Sequence, residues 1–283
     1  MNAPAVMFAA PKKSKKQPPR MLEVVRSERI TPHMQRVTLG GEQLVNFPDD
    51  AHGAHIKVFL PRAHQHEPQL PTLGPDGPIW PDAADKPITR TYTVRRFDPV
   101  TCELEVDFVV HGDEGPASRW ATRASAGDRI GLAGPGGPKP MLGEAQWYLL
   151  AGDMTALPAI SALLEKMPAD ACGQVFIEVS DEQERQPLTH PAGVTVTWLY
   201  RGNTAPCEST LLLDAVSHLS WPADLATFAW IGGENSAVLA LRDYVRRAHG
   251  LTKANLYAVP YWKDTYNEER YHQERHRIMD ELE

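Results

Sequence analysis

The segment Arg90-Thr91-Tyr92-Thr93 sets a guanidinium and a planar phenol two residues apart, so on a strand both stand on one face. A flavin dinucleotide needs both kinds of group: a cation for its pyrophosphate and a flat surface for its ring system. Thr91 and Thr93 can hydrogen-bond the polar edge of such a ring. Taken alone, an Arg and a Tyr on one strand face are more often a solvated pair. A second segment, Asp107-Phe108-Val109-Val110-His111-Gly112, reads as a strand ending in a polar group. It leads to Gly115-Pro116-Ala117-Ser118, which opens a helix. Small residues at a helix start expose backbone N–H groups, and together these form an anion site. Asp107 and His111 share a strand face and could flank an adenosine; standing alone, His111 reads as an edge-strand histidine.

Other candidates carry less. Ala151-Gly152-Asp153-Met154-Thr155 is a turn after an apolar strand, but it lacks the full G-x-G-x-x-G fingerprint. Gly232-Gly233-Glu234 ends a strand at a sheet's carboxyl edge, where such folds bind ligands; equally, Glu234 fits a helix N-terminus. Arg201 beside Trp198 reads as a partner for a 2′-phosphate or as a plain surface arginine. His52, His55, His64 and His66 surround a proline-rich stretch with no standard metal spacing. His272 and His276 lie one helical turn apart, with Gln273 where a zinc protease needs glutamate. No G-x-S-x-G or marked nucleophilic cysteine occurs. No catalytic side chain and no resident metal are expected.

These groups need a scaffold. From Met21 the pattern is β-like: Leu22–Ile30, Met34–Leu39, His55–Leu60, Thr89–Arg96, Glu103–His111 and Arg129–Ala133 alternate with period two. Residues 61–87 hold seven prolines, enough to forbid a regular strand or helix, so a long surface loop is expected. A short helix holds Trp120. Short strands at regular spacing with one brief helix predict an antiparallel barrel. From about Gly143 strands and helices alternate, which predicts a parallel sheet with covered faces. Its strands are Trp147–Ala151, Val175–Ser180, Val194–Leu199, Thr227–Ile231 and Asn255–Val259. A helix starts near Ala156 with Pro158 in its first turn, and others cover Leu211–Ser217 and Ser236–His249. The expected division is a basic tail at 1–20, a barrel at 21–142, an α/β half at 143–260 and a C-terminal extension at 261–283. The charged stretch Asn267–Glu283, with Tyr271, Ile278 and Leu282 as its apolar stripe, reads as a helix.

The chain has 283 residues, enough for two domains, and a formal charge of -7. Five positive charges fall in the first 20 residues, and that arm reads as a solubilising tail. An acidic body repels a phosphate backbone, so nucleic acid is not an expected partner, and any anionic ligand needs a local basic patch. No stretch approaches the roughly 18 apolar residues of a membrane helix, and the N-terminal order is the reverse of a signal peptide's. Cys102, Cys172 and Cys207 lie far apart and fit reduced thiols. A cytoplasmic monomer is expected.

In order and spacing, R-x-Y-T, D-F-V-x-H-G, G-P-A-S-x-W, A-G-D-x-T-A-L-P-A-I, G-E and a late Y-W resemble the siderophore-interacting protein family, the FAD-containing ferric-siderophore reductases of the vibriobactin-utilisation type. The resemblance runs from about Met21 to Lys263. It implies a six-stranded FAD-binding barrel joined to a Rossmann-like NAD(P)H-binding half, as in ferredoxin reductases. Arg90, Thr91, Tyr92 and Thr93 would then hold the flavin and its phosphates, and Asp107, Val109 and His111 would line the adenosine side. Gly115, Ala117 and Ser118 would cap the pyrophosphate, Thr155 would approach the flavin and help open the nicotinamide site, and Ala156 and Trp262 would be further cofactor contacts. Lys57 and Lys263 would bind an anionic ferric siderophore. A third basic position of the family is Gly136 here, with Lys139 as a nearby substitute. The implied reaction takes electrons from NAD(P)H, or from a ferredoxin, through FAD to Fe(III). Two other readings stand beside it: a general FAD oxidoreductase without a siderophore, and a non-enzymatic siderophore carrier.

Overall fold

The computed structural model describes residues 17–111, 115–266 and 270–271. Its first half is an antiparallel sheet of β1 (Arg20–Thr31), β2 (Met34–Gly40), β3 (His55–Leu60), β6 (Ile88–Thr93), β7 (Arg96–Asp98), β8 (Glu103–Val109) and β9 (Arg129–Gly136), with a small hairpin of β4 (Thr72–Gly74) and β5 (Gly77–Ile79) and helix α1 (Pro116–Arg123) between them. The strand order is β6-β3-β9-β1-β2-β8-β7. Alternation decides the faces: Ile56, Val58, Leu104, Val106 and Phe108 are buried, while Lys57, Glu103 and Glu105 between them keep partial exposure.

The strand expected over Thr89–Arg96 is broken. Val94 leaves the ladder, exchanging backbone hydrogen bonds with Gly53 and Ala54 at 2.8 and 2.9 Å, and Arg95 N–H then donates to the Glu105 carbonyl at 3.0 Å. One bent segment therefore pairs with β3 at one edge of the sheet and with β8 at the other, closing six staves into a barrel. The proline-rich loop also departs from expectation, because it contains the β4–β5 hairpin. Pro78 pairs there with Leu73 in strands of three residues, where no second neighbour needs its missing N–H. Arg20, read as the end of the tail, opens β1 instead: its guanidinium donates to the carbonyls of Gly134 at 2.9 Å and Gln43 at 3.1 Å.

The second half is a parallel sheet in the order β12-β11-β10-β13-β14, built from β10 (Trp147–Asp153), β11 (Cys172–Val179), β12 (Gly193–Tyr200), β13 (Thr227–Glu234) and β14 (Leu256–Trp262). Helices α2 (Leu157–Leu164), α3 (Leu211–Ser217) and α4 (Asn235–His249) cover it. Tyr148 and Leu150 of β10 pack with α2, whereas Trp147, Leu149 and Ala151 pack with Leu212, Leu241 and Val245 of α3 and α4. A strand buried on both faces reads as a continuous apolar run, as β10 does. Of the expected C-terminal helix only Arg270 and Tyr271 lie within the described residues; both are helical, and the buried Tyr271 hydroxyl donates to Asn235 Oδ1 at 3.0 Å. The expected tail falls outside them up to residue 16.

The halves share packing and a clasp. Met34 of β2 belongs to the α2-side core. Glu184, fully buried in the β11–β12 connection, accepts from Thr31 Oγ1 at 2.5 Å and His33 N–H at 3.1 Å, and its Oε1 lies 2.7 Å from His33 Nδ1.

Candidate functional site

Between the barrel and the carboxyl edge of the parallel sheet lies a cleft of about 790 Å³, within the range of cofactor sites. On the barrel side it is lined by Arg90–Thr93 of β6, by Asp107 and Val109 of β8, by His111, and by Gly115–Ser118 at the start of α1. The Tyr92 ring is fixed from behind by Phe108, with centroids 4.2 Å apart, and Phe108 rests in turn on Trp120. Pro116 takes the first turn of α1, and its N-cap is Gly115, which has no side chain to cap it. Ser118 Oγ accepts the His111 N–H at 3.1 Å, which ties the strand end over the helix start. A Cβ on Gly115 would stand 2.9 Å from His111 Cε1, so the glycine lets the imidazole lie against the helix entrance.

Asp107 is not available as a polar arm. It is buried and takes a two-pronged contact from Arg36, Nε to Oδ1 at 2.7 Å and Nη2 to Oδ2 at 2.8 Å. Burial would lower the Arg36 pKa, but the hydrogen bonds and charge of Asp107 outweigh it and hold the guanidinium above its ordinary value. This pair locks β8 to β2 behind the cleft wall.

The sheet edge contributes carboxylates. Asp153, at the end of β10, accepts at Oδ1 from Thr155 N–H (2.8 Å) and Thr155 Oγ1 (2.6 Å). At Oδ2 it accepts from Glu234 N–H (2.7 Å) and Trp262 Nε1 (2.8 Å). Glu234 caps α4 by accepting from Ser236 N–H at 2.5 Å, and its other oxygen takes Asp264 N–H at 3.2 Å. Glu178, at the end of β11, accepts from Ser209 Oγ at 2.8 Å and pairs with Arg201 Nε at 3.3 Å. Its pKa is raised by burial, with the charges of Asp153 and Glu234 adding to the effect. Arg201 is thus held by Glu178 and the Thr204 carbonyl. Burial likewise raises the hydroxyl of Tyr261, the residue before Trp262.

Thirteen of the sequence-expected residues meet in this cleft, among them Lys263, whose ammonium also sits 4.3 Å from the Tyr266 ring centroid. Three do not line it. Ala156 is fully buried beneath the start of α2. Lys57 stands on the outer face of β3 and donates to Thr91 Oγ1 at 2.7 Å. Lys139 pairs with Asp50 at 2.8 Å on the surface. Sequence reading missed His33, Glu178 and Asp153 as cleft residues. For Asp153 a signal existed, since an Asp two residues before a Thr at a strand end can close an Asx turn. Among the described residues no group of three or more His, Cys, Asp or Glu could hold a metal ion.

Two family models match in tandem: the siderophore-interacting FAD-binding domain over residues 23–139 and the siderophore-interacting protein model over residues 145–265. The chain is 43% identical over 264 residues to the ferric vibriobactin reductase of Vibrio cholerae, covering 93% of this chain and 96% of that one. It is 32% identical over 249 residues to an NADPH-dependent ferric-chelate reductase of Escherichia coli, covering 86% and 92%. The crystal structure of the siderophore-interacting protein SipS from Aeromonas hydrophila superposes with a TM-score of 0.81 at 40% identity, covering 93% of this chain and 98% of that one. The chain belongs to the siderophore-interacting protein family. Its barrel followed by a Rossmann-like sheet is the ferredoxin-reductase-like architecture.

The residues present fit FAD. A guanidinium, a helix entrance with glycine at its N-cap and two threonines line one cleft beside a tyrosine ring packed on Phe108. That donor set matches an anionic dinucleotide with a planar head.

Proposed function

We propose that this member of the siderophore-interacting protein family is a ferric-siderophore reductase that draws electrons from NAD(P)H. The carrying observation is the cleft itself, where the barrel's donors face the carboxyl edge of a parallel sheet beside Lys263. Bound FAD would supply the chemistry, since a flavin links a two-electron donor to a one-electron acceptor. Arg90 and the N–H groups at Ala117 and Ser118 neutralise its pyrophosphate, and Thr91 and Thr93 hydrogen-bond its polar edge. Tyr92, backed by Phe108, offers the flat contact, while Val109 and His111 border the adenosine. Thr155 and Trp262 bound the nicotinamide side. Lys263 attracts the anionic ferric chelate, an attraction that matters in a chain of formal charge -7. Siderophore oxygens are hard ligands that hold Fe(III); one electron per iron converts it to Fe(II), which they hold less well.

The name of the E. coli relative supports NADPH as donor. Three cysteines without a disulfide among the described residues support a reducing, cytoplasmic setting. No described helix is long and apolar enough to cross a membrane.

A second reading, a general flavin reductase that uses ferredoxin or NAD(P)H without a siderophore, is favoured by one fact: of the three lysines expected at the substrate only Lys263 lines the cleft, while Lys57 reaches the cleft-lining Thr91 from the outer face of β3 and Lys139 pairs with Asp50. Anaerobic stopped-flow of the FAD-loaded protein with NADH, NADPH and reduced ferredoxin in turn separates them. A nicotinamide should bleach the oxidised flavin, and ferric tris-catecholate should restore it. Bleaching by none of the three ends the reductase reading. Bleaching reversed by dyes but not by the ferric chelate selects the second reading.

A further inference from the structure

We infer that Asp153 is a positioning residue that aims the end of β14, and with it Trp262 and Lys263, into the cleft. The inference rests on the reductase reading only for what Lys263 binds. A carboxylate offers about four acceptor sites, and Asp153 uses all four on neutral donors from three places: its own turn at Thr155, the end of β13 at Glu234 and the end of β14 at Trp262.

Two independent features of the backbone are built around that carboxylate. The β13–β14 ladder slips at this point: Gly233 pairs with Pro260, but Glu234 pairs with Trp262, so one extra residue is inserted in β14. Such bulges re-aim a side chain at the end of a ladder, and here the side chain after the slip is Trp262. The second feature is Gly233, at φ +133, where an added Cβ would lie 2.8 Å from Asp153 Cγ. A glycine is needed both for that backbone angle and for the carboxylate to come this close. The bulge sets the direction, and Asp153 fixes it by holding the Trp262 indole and the Glu234 N–H on one oxygen. Glu234 extends the set by holding Asp264 N–H, so residues on both sides of Lys263 are anchored.

Asp153→Ala tests this by removing both oxygens, so that all four donors lose their acceptor. The dissociation constant of ferric tris-catecholate, measured by equilibrium dialysis on the FAD-loaded protein, should rise by about fivefold or more, a part of the more than tenfold that a hydrogen bond to a charged group can carry. FAD content and melting curve show that D153A is folded. D153A already removes the acceptor of the bond that W262F breaks, so the double variant should be no weaker than D153A alone. Binding by D153A within about twofold of wild type, or fully additive losses in the double variant, overturns the inference.

A readout independent of any chelate is the indole N–H resonance of Trp262 in ¹⁵N-tryptophan-labelled protein, assigned by its loss in W262F. It should move toward the solvent-exposed indole position in D153A; an unmoved resonance overturns the inference. If wild type does not bind the chelate at all while this resonance moves, the siderophore reading fails and the role of Asp153 stands. Should D153A not fold, W262F reports on the bond from its other end: chelate binding unchanged from wild type refutes the aiming role.

Discussion

The two walls of the cleft are opposite in kind. The barrel wall presents a guanidinium, hydroxyls and a helix entrance, and its buried carboxylate Asp107 is turned away onto Arg36. The sheet wall presents Asp153, Glu178 and Glu234, which take hydrogen bonds from the sheet's own N–H, hydroxyl and indole groups. Donors on one side suit a ligand that brings phosphates. Carboxylates bound internally on the other side hold strand ends in register and leave recognition to what those ends carry. The barrel wall turns polar groups toward the cleft, and the sheet wall spends its carboxylates on its own strand ends.

The sharpest challenge to this contrast is to break the pair behind the barrel wall. Asp107→Asn takes the charged two-pronged partner from the partly buried Arg36 guanidinium and leaves it a longer contact with Glu105 at 3.6 Å. Losing one partner of a fully buried pair costs about 3–5 kcal/mol; with Glu105 still near Arg36, urea unfolding of D107N should show a loss of about 3 kcal/mol, the lower end of that range. FAD should also dissociate more readily, because β8 carries Val109 and leads to His111. A loss below about 1 kcal/mol with unchanged FAD affinity would mean the pair is not what holds that wall.

Between the walls, the Glu184 clasp should matter less. Glu184→Ala deprives the buried Thr31 hydroxyl and the His33 N–H of their acceptor, but His33 is half exposed and water can replace part of the loss. We expect about 2 kcal/mol in denaturant titration. A first transition that appears separately for one half would show that the clasp couples the two. Smaller again is Ser118→Ala, which removes the acceptor for His111 N–H. It should cost about 1 kcal/mol of stability and weaken FAD binding several-fold, read by flavin fluorescence.

How far the sequence showed this site follows from how local each signal is. The β3 strand, α3 and the core face of β8 were legible because period-two or helical alternation is a property of adjacent residues. Tyr92 and Arg90 were legible as a pair for the same reason. The break at Val94 was not, since it depends on Gly53, Ala54 and Glu105, all remote in sequence. Asp153 reads in sequence only as a turn residue, because two of its four donors lie about 80 and 110 positions away. Lys57 and Lys139 are pointed out only by the family resemblance, which cannot show that the fold turns one toward Thr91 and the other toward Asp50.

The smallest expected effect concerns Glu178, whose carboxyl pKa is raised by burial and by the neighbouring charges of Asp153 and Glu234. A carboxyl with a raised folded-state pKa favours the protonated form in the native protein. Its contribution to stability is fully present below the unfolded carboxyl value of about 4.3 and is lost as pH rises through the higher folded value. Above that window the charge is a net cost, even with Arg201 and Ser209 in place, because the raised pKa already includes their opposing effects. Glu178→Gln keeps an acceptor for Ser209 and removes the charge. The stability of E178Q relative to wild type should therefore improve as pH rises from about 4 into the neutral range and then level off. Denaturation midpoints compared across that range test it: parallel curves would mean that the sheet wall carries its charge without cost, and the contrast between the two walls would have to rest on hydrogen bonding alone.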